Sequence, residues 1–239
     1  MQFPQKMLAV LLAVSALFLC VYSGFDPGRD VMVSGESSRE FCVVIDPGHG
    51  GEDGGCVGIS GAGEAALNLA ISLRLRDLLA LCGVKTSMIR ETDVAVYSDG
   101  CQTISEKKVS DLKNRVRMVN ETPDAVLVSI HQNFFEQSKY HGAQVFYADT
   151  DGSRAWAEQT QTLLRECFDN GNHRECKPSK SVYLMEHVKC PAILVECGFL
   201  SNPAEEKCLQ MDAYQQKIAA VISVSVCRFL TEEGKANEV

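Results

Sequence analysis

Short apolar runs alternating with amphipathic helical stretches constrain this chain more than any other feature. Residues 42–45, 84–89, 125–130, 144–147 and 193–195 are brief and rich in Val and Ile, the composition of buried strands. Between them, residues 64–82 place Leu67, Ala70, Ile71, Leu75, Leu78 and Cys82 on one side, and Gly83 supplies a stop. Residues 109–120, 155–168 and 214–230 behave likewise, the last with Ile218, Val221, Ile222, Ser225 and Phe229 on a common face. Strands alternating with helices predict a single α/β domain, a mostly parallel twisted sheet with helices on both faces. In such a sheet, ligand sites gather beyond the carboxyl ends of the strands.

The domain occupies residues 41–232, with a polar tail at 233–239. Residues 1–24 are different: Lys6 precedes an uncharged run over 7–22, between a signal-peptide core and a full membrane span in length. That segment reads equally as a cleaved signal peptide or a retained N-terminal anchor, and either exports the chain to the cell envelope. Residues 25–40, with Pro27, Gly28, Gly35 and Ser37–Ser38, form the linker. The net charge of −8 is spread along the chain, so the basic stripe that nucleic-acid binding needs is missing and nucleic acid is excluded as a partner. The 11 cysteines are odd in number and lack CxxC spacing. Cys42, Cys82, Cys197 and Cys227 sit in apolar runs, where a thiol acts as a small hydrophobe rather than as part of a disulfide scaffold.

The strand-end rule picks out three titratable residues. His49 follows the first strand in VVIDPGHGG, His131 follows the third in VSIHQN, and Glu196 closes the last in ILVECG. Any one alone reads as a solvated loop residue, but three at equivalent strand ends open onto one edge. A hydrolytic zinc centre uses about three protein ligands and keeps a fourth position open. His49 and His131 supply two. Glu64, at a helix start after a glycine-rich loop, reads equally as the third or as a carboxylate complementing the helix dipole. Asp46 reads either as a partner orienting His49 or as a cap on the turn at Pro47, with the turn favoured slightly. His141, His173 and His187 sit in polar or loop settings and read as surface residues.

The segments VVIDPGHGGEDGG, GEAALNLAISLRLRDLL, SIHQN and PAILVECGFLSNPAEE resemble, in order and spacing, the zinc-dependent N-acetylmuramoyl-L-alanine amidases of the type-3 amidase family. ISEKKVSDLKNRVRMVN, GAQVFY and NGNHRECKP carry a likeness to the branch of that family that trims spore-cortex peptidoglycan. The resemblance implies Zn2+ bound by His49, Glu64 and His131, with Glu196 as the catalytic carboxylate. It implies hydrolysis of the amide between the lactyl group of N-acetylmuramic acid and L-alanine, in spore-cortex maturation with muramic-lactam formation. The partners implied are the peptidoglycan glycan and stem peptide, together with an exported protein partner that supports zinc binding or activity. Arg90, Asn133 and Arg174 are candidates for the substrate groove, with surface salt bridging the competing reading for the arginines. Glu196 paired with Arg115 or Arg117 is the competing reading for that carboxylate. The sequence departs from the family pattern at Gln132, where Ala is common after the histidine. The alternative function is a catalytically weak or partner-dependent peptidoglycan-binding module of the same fold.

Overall fold

The computed structural model describes residues 40–169 and 171–236, so the export segment and nearly all of the linker lie outside the described residues. Six strands form one sheet: β1 (Cys42–Pro47), β2 (Lys85–Met88), β3 (Ala125–Asn133), β4 (Gln144–Tyr147), β5 (Lys177–Pro178) and β6 (Ala192–Phe199), in the order β2-β1-β3-β6-β4-β5. The β2, β1, β3 and β6 strands run parallel, β4 runs antiparallel to β6, and β5 is parallel to β4. The mostly parallel α/β sheet read from the sequence is therefore the one observed. Among the described residues, no helix is long and apolar enough to cross a membrane.

Side-chain alternation along the strands divides the core in two. Val43, Ile45, Val126, Val128, Ile193 and Val195 pack against α1 (Glu64–Leu81), α3 (Ser153–Phe168) and α6 (Asp212–Ala236). Trp156 of α3 stacks on Phe229 of α6 with ring centroids 4.5 Å apart, which fixes these two helices against each other. The opposite face, with Val44, Leu127 and Leu194, is covered by α2 (Ile104–Glu121) and α4 (Tyr183–His187). Helices thus lie on both sides, which leaves the strand ends as the open edge.

Several boundaries differ from the sequence reading, each for a local reason. The second strand is no buried run: its residues alternate between exposed and half-buried because it closes one edge of the sheet. The α2 helix begins at Ile104 rather than 109, since Thr103 caps it and Glu106 returns the bond to the Thr103 backbone. The α6 helix spans Asp212–Ala236, longer at both ends than the periodic face read over 214–230. The short β5, α4 and α5 (Pro203–Leu209) are too brief for periodicity to reveal. Every described cysteine is a free thiol, but Cys82 is exposed beyond the end of α1 rather than buried.

One buried ion pair ties α2 to the turn after β1. Arg115 of α2 donates through Nη1 to Asp46 Oδ1 and to the Pro47 carbonyl, through Nη2 to the His49 carbonyl at 2.8 Å, and through Nε to Asp111 Oδ2. Ser129 Oγ of β3 donates to the second Asp46 oxygen at 2.6 Å. Burial alone would raise the Asp46 carboxyl, but Arg115, the nearby His131 and the Ser129 hydroxyl hold it below its ordinary value of 3.8. Asp46 therefore neither orients His49 nor caps the turn with its side chain. It anchors the arginine that grips the turn.

Replacing Arg115 by Met leaves a buried carboxylate without its partner, and a urea titration is expected to show a loss of about 3–5 kcal/mol. Because the folded state lowers the Asp46 pKa, the stabilisation is present above pH 3.8 and lost as pH falls through the folded value. The gap between wild type and Arg115→Met should therefore narrow in acid.

Candidate metal centre

The chain leaves β1 at Pro47 and turns at once, with His49 in the left-handed region at φ 62°. The turn is held in that shape from three sides. Arg115 takes the Pro47 and His49 carbonyls, Arg90 donates to the carbonyls of Pro47, Thr92, Gly48 and Ala65, and Asn68 Nδ2 donates to Gly48. Beyond it, Gly50 and Asp53 exchange backbone hydrogen bonds in a tight turn that Gly50 and Gly51 enter at positive φ. That turn returns the Asp53 carboxylate to 3.1 Å from His49 Nδ1.

Three donors converge where β1, β3 and the start of α1 meet. Glu64 Oε1 lies 3.3 Å from His49 Nε2 and 3.1 Å from His131 Nδ1, and one ligand atom from each residue falls within 4.8 Å of the others. Glu64 Oε2 accepts from the Cys56 backbone at 2.8 Å, so both oxygens serve the loop and the histidines. Glu64 Oε1 also accepts from the Gln132 backbone at 3.2 Å, so the carboxylate serves the loop and β3 while remaining the acidic residue in the first turn of α1. Gly55 is required here, because a Cβ on it would meet Glu64 Oε2 and the His49 ring. Two imidazole nitrogens and one carboxylate oxygen form a donor set suited to a hydrolytic zinc. The Glu64 side chain is 2% exposed while His49 and His131 are 23% and 19% exposed, which leaves one side open for a ligand.

The charges at this cluster follow from its contacts. For Glu64, burial works to raise the carboxyl, but hydrogen bonds and charge from His131 and His49 hold it well below the usual carboxylate range. For His49, burial works to lower the imidazolium, but Glu64 and Asp53 raise it above its ordinary 6.5. Glu196 lies opposite His131 in the β3–β6 register, next to the bulge between His131 and Asn133. Its Oε2 is buried without a hydrogen-bond partner. Burial, reinforced by the Glu64 charge and opposed by the two imidazoles, pushes the Glu196 carboxyl up to about 7. Arg115 is spent on Asp46 and Asp111, and Arg117 pairs with Glu121 at 3.0 Å, so neither neutralises Glu196.

The remaining candidates divide. Arg90 is 3% exposed and spends its donors on backbone carbonyls, so it builds the His49 turn instead of lining a groove, and that expectation is corrected. Asn133 ends β3, and its carbonyl accepts from Leu200 at 2.8 Å. Arg174 donates to the His141 carbonyl and to Gln144 Oε1, beside Glu196 in the β4–β6 register, and its guanidinium lies 4.5 Å over the Phe199 ring. His141 pairs with Asp169, and His187 stacks on Tyr183, both away from the cluster. Sequence reasoning missed Asp53, Asn68 and the buried Gln132, whose side-chain amide donates to Asn68 Oδ1 at 3.1 Å. Asn68 carried a signal, standing one helical turn after Glu64. Asp53 carried none, because only the tight turn brings it back.

A family model described as N-acetylmuramoyl-L-alanine amidase matches residues 43–228. The germination-specific N-acetylmuramoyl-L-alanine amidase of Bacillus subtilis is 36% identical over 197 residues, covering 82% of this chain and 82% of that protein. Among solved structures, the CwlD amidase from Clostridioides difficile, in complex with the GerS lipoprotein, superposes with TM-score 0.77 at 38% identity, covering 80% of this chain and 98% of that one. An N-acetylmuramoyl-L-alanine amidase from Clostridium difficile 630 follows with TM-score 0.69 at 29% identity, covering 81% and 98%.

In the metal-free protein, an NMR titration is expected to place the His49 pKa above 6.5. Asp53→Asn should bring it down by removing one of the two carboxylates that raise it.

Proposed function

The chain belongs to the type-3 N-acetylmuramoyl-L-alanine amidase family, and on that premise we propose that it cuts the lactyl–L-alanine amide of peptidoglycan with zinc held by His49, Glu64 and His131. The activity is that of its relatives, and the spore-cortex role follows the germination-specific enzyme of Bacillus subtilis and the CwlD amidase. The observation that carries the site assignment is the convergence of His49, Glu64 and His131, with the buried, unpartnered Oε2 of Glu196 opposite His131 across one strand pair.

When bound, zinc supplies Lewis acidity toward an amide carbonyl and acidifies water. The chain's own residues do the rest. Glu64 holds its negative charge because both imidazoles favour it, and Asp53 fixes the ring orientation of His49 through Nδ1. Glu196 takes the proton of the attacking water and then delivers it to the alanine nitrogen, since an amide anion leaves poorly unaided. In the metal-free protein burial raises the Glu196 carboxyl above the ordinary carboxylate range, and the charge of a bound zinc would draw it back down, favouring the carboxylate that takes the proton. The open faces of His49 and His131 leave room for the scissile group beside Glu196.

The apolar run over residues 7–22 fits export, in keeping with the cell-wall substrate of the family. Arg174 and Asn133 stand as groove residues, and an exported protein partner supports zinc binding or activity. Support for a partner comes from the CwlD amidase, whose structure was solved with the GerS lipoprotein.

Mass spectrometry of products from purified peptidoglycan is expected to show released peptides beginning with free L-alanine, and none after zinc chelation; products cut between sugars would overturn the reading. Glu196→Gln should lower kcat by about 10²–10⁴-fold while zinc content holds. Asp53→Ala should weaken zinc affinity by about 10–100-fold in a chelator competition.

A further inference from the structure

The geometry points to a carboxylate-reading subsite for the departing stem peptide, formed by Lys177 and Lys180 in the cleft that opens from Glu196 toward the β5 edge of the sheet. This inference rests on the amidase reading above and assigns the side of the site on which the peptide lies.

The direction follows from the reaction. The group that protonates a leaving nitrogen must stand on the leaving-group side of the scissile bond, within hydrogen-bond reach of that nitrogen. Glu196 is that group, so the peptide lies on its side and the glycan lies across the metal cluster. From Glu196 a cleft of about 410 Å³ runs to the sheet edge. Phe146 and Leu194 form its apolar floor, and Lys177, Ser179 and Lys180 line it. An apolar floor with hydroxyl and ammonium groups suits a short peptide that carries a carboxylate.

The register sets the reach. Leu194 stands opposite Phe146, and Phe146 opposite Lys177, so the three share one face and one line across the sheet. Strand spacings of ~4.8 Å and a rise of ~3.3 Å per residue put the Lys177 Cα roughly 12 Å from that of Glu196. Glutamate and lysine side chains close part of that gap, which leaves a span of about one to two extended residues beyond the scissile amide. Neither lysine makes an ion pair among the described residues, whereas Arg174 spends Nε and Nη1 on His141 and Gln144. Two ammonium groups therefore remain available to a ligand carboxylate.

The test uses the zinc-loaded full chain and two N-acetylmuramoyl-L-alanyl peptides that differ only at the second residue, a free side-chain or main-chain carboxylate in one and its amide in the other. Wild type should favour the free carboxylate by about tenfold or more in kcat/KM. The double variant Lys177→Gln/Lys180→Gln should bring that ratio toward one, mainly through a raised KM for the free carboxylate. Lys85→Gln, at the opposite edge of the sheet, should keep the wild-type ratio. A wild-type ratio near one, or a double variant that retains the preference, would overturn the subsite and leave the amidase reading standing. Wild-type protein that cuts neither substrate at the muramoyl–alanine amide would overturn both.

Discussion

The buried contact between Asp46 and Arg115 is the constraint on which the rest of the site depends. It fixes α2 against the end of β1, and the same guanidinium holds the Pro47 and His49 carbonyls. A chain that must hold a histidine at positive φ cannot rely on local preference, because that backbone region is disfavoured for any residue with a side chain. Arg90 and Asn68 complete the grip, so the turn is defined by three side chains from three other parts of the chain. With the turn fixed, the tight return at Gly50–Asp53 and the close approach at Gly55 bring Asp53 and Glu64 to the two nitrogens of one imidazole.

Two glutamates that feel the charge of the same histidines are driven in opposite directions by their surroundings. Glu64 accepts from imidazoles and backbone and stays ionised, as the proposed ligand role needs. Glu196 is buried with an unpartnered oxygen, and in the metal-free protein that burial pushes its carboxyl up to about 7, which suits the proposed proton transfer. Division of labour between paired carboxyl groups by environment is a recurrent catalytic device. Here it arises from topology: Glu64 sits at a helix start beneath the loop, while Glu196 lies inside central strand β6, between His131 of β3 and Gln144 of β4, with Oε2 buried and unpaired.

Much of this was legible in the sequence. The β1, β3 and β6 strands carry apolar runs in the middle of the sheet, so they and the polar residues that break those runs stand out, although β3 and β6 continue past His131 and Glu196 to Asn133 and Phe199. That break picks out His49, His131 and Glu196, and the sheet brings them to one edge. Less legible were features set by tertiary contact. The Thr103–Glu106 capping box extends α2 through a polar stretch that hydrophobic periodicity passes over. Arg90 looks like a substrate residue after a strand, but a buried arginine with several backbone acceptors is a structural brace. Gln132 looked like a neutral departure from the family pattern, yet it is buried against Asn68, which in turn reaches Glu64. Asp53 becomes visible only once the turn that returns it is known.

The central claim is that His49, Glu64 and His131 hold one zinc ion. Anomalous diffraction at the zinc edge from crystals of the zinc-loaded protein tests it most directly. The account predicts a single strong peak within roughly 2.0–2.2 Å of His49 Nε2, His131 Nδ1 and a Glu64 oxygen. A map with no peak at this cluster, or with the ion held by cysteine thiols elsewhere, would contradict it.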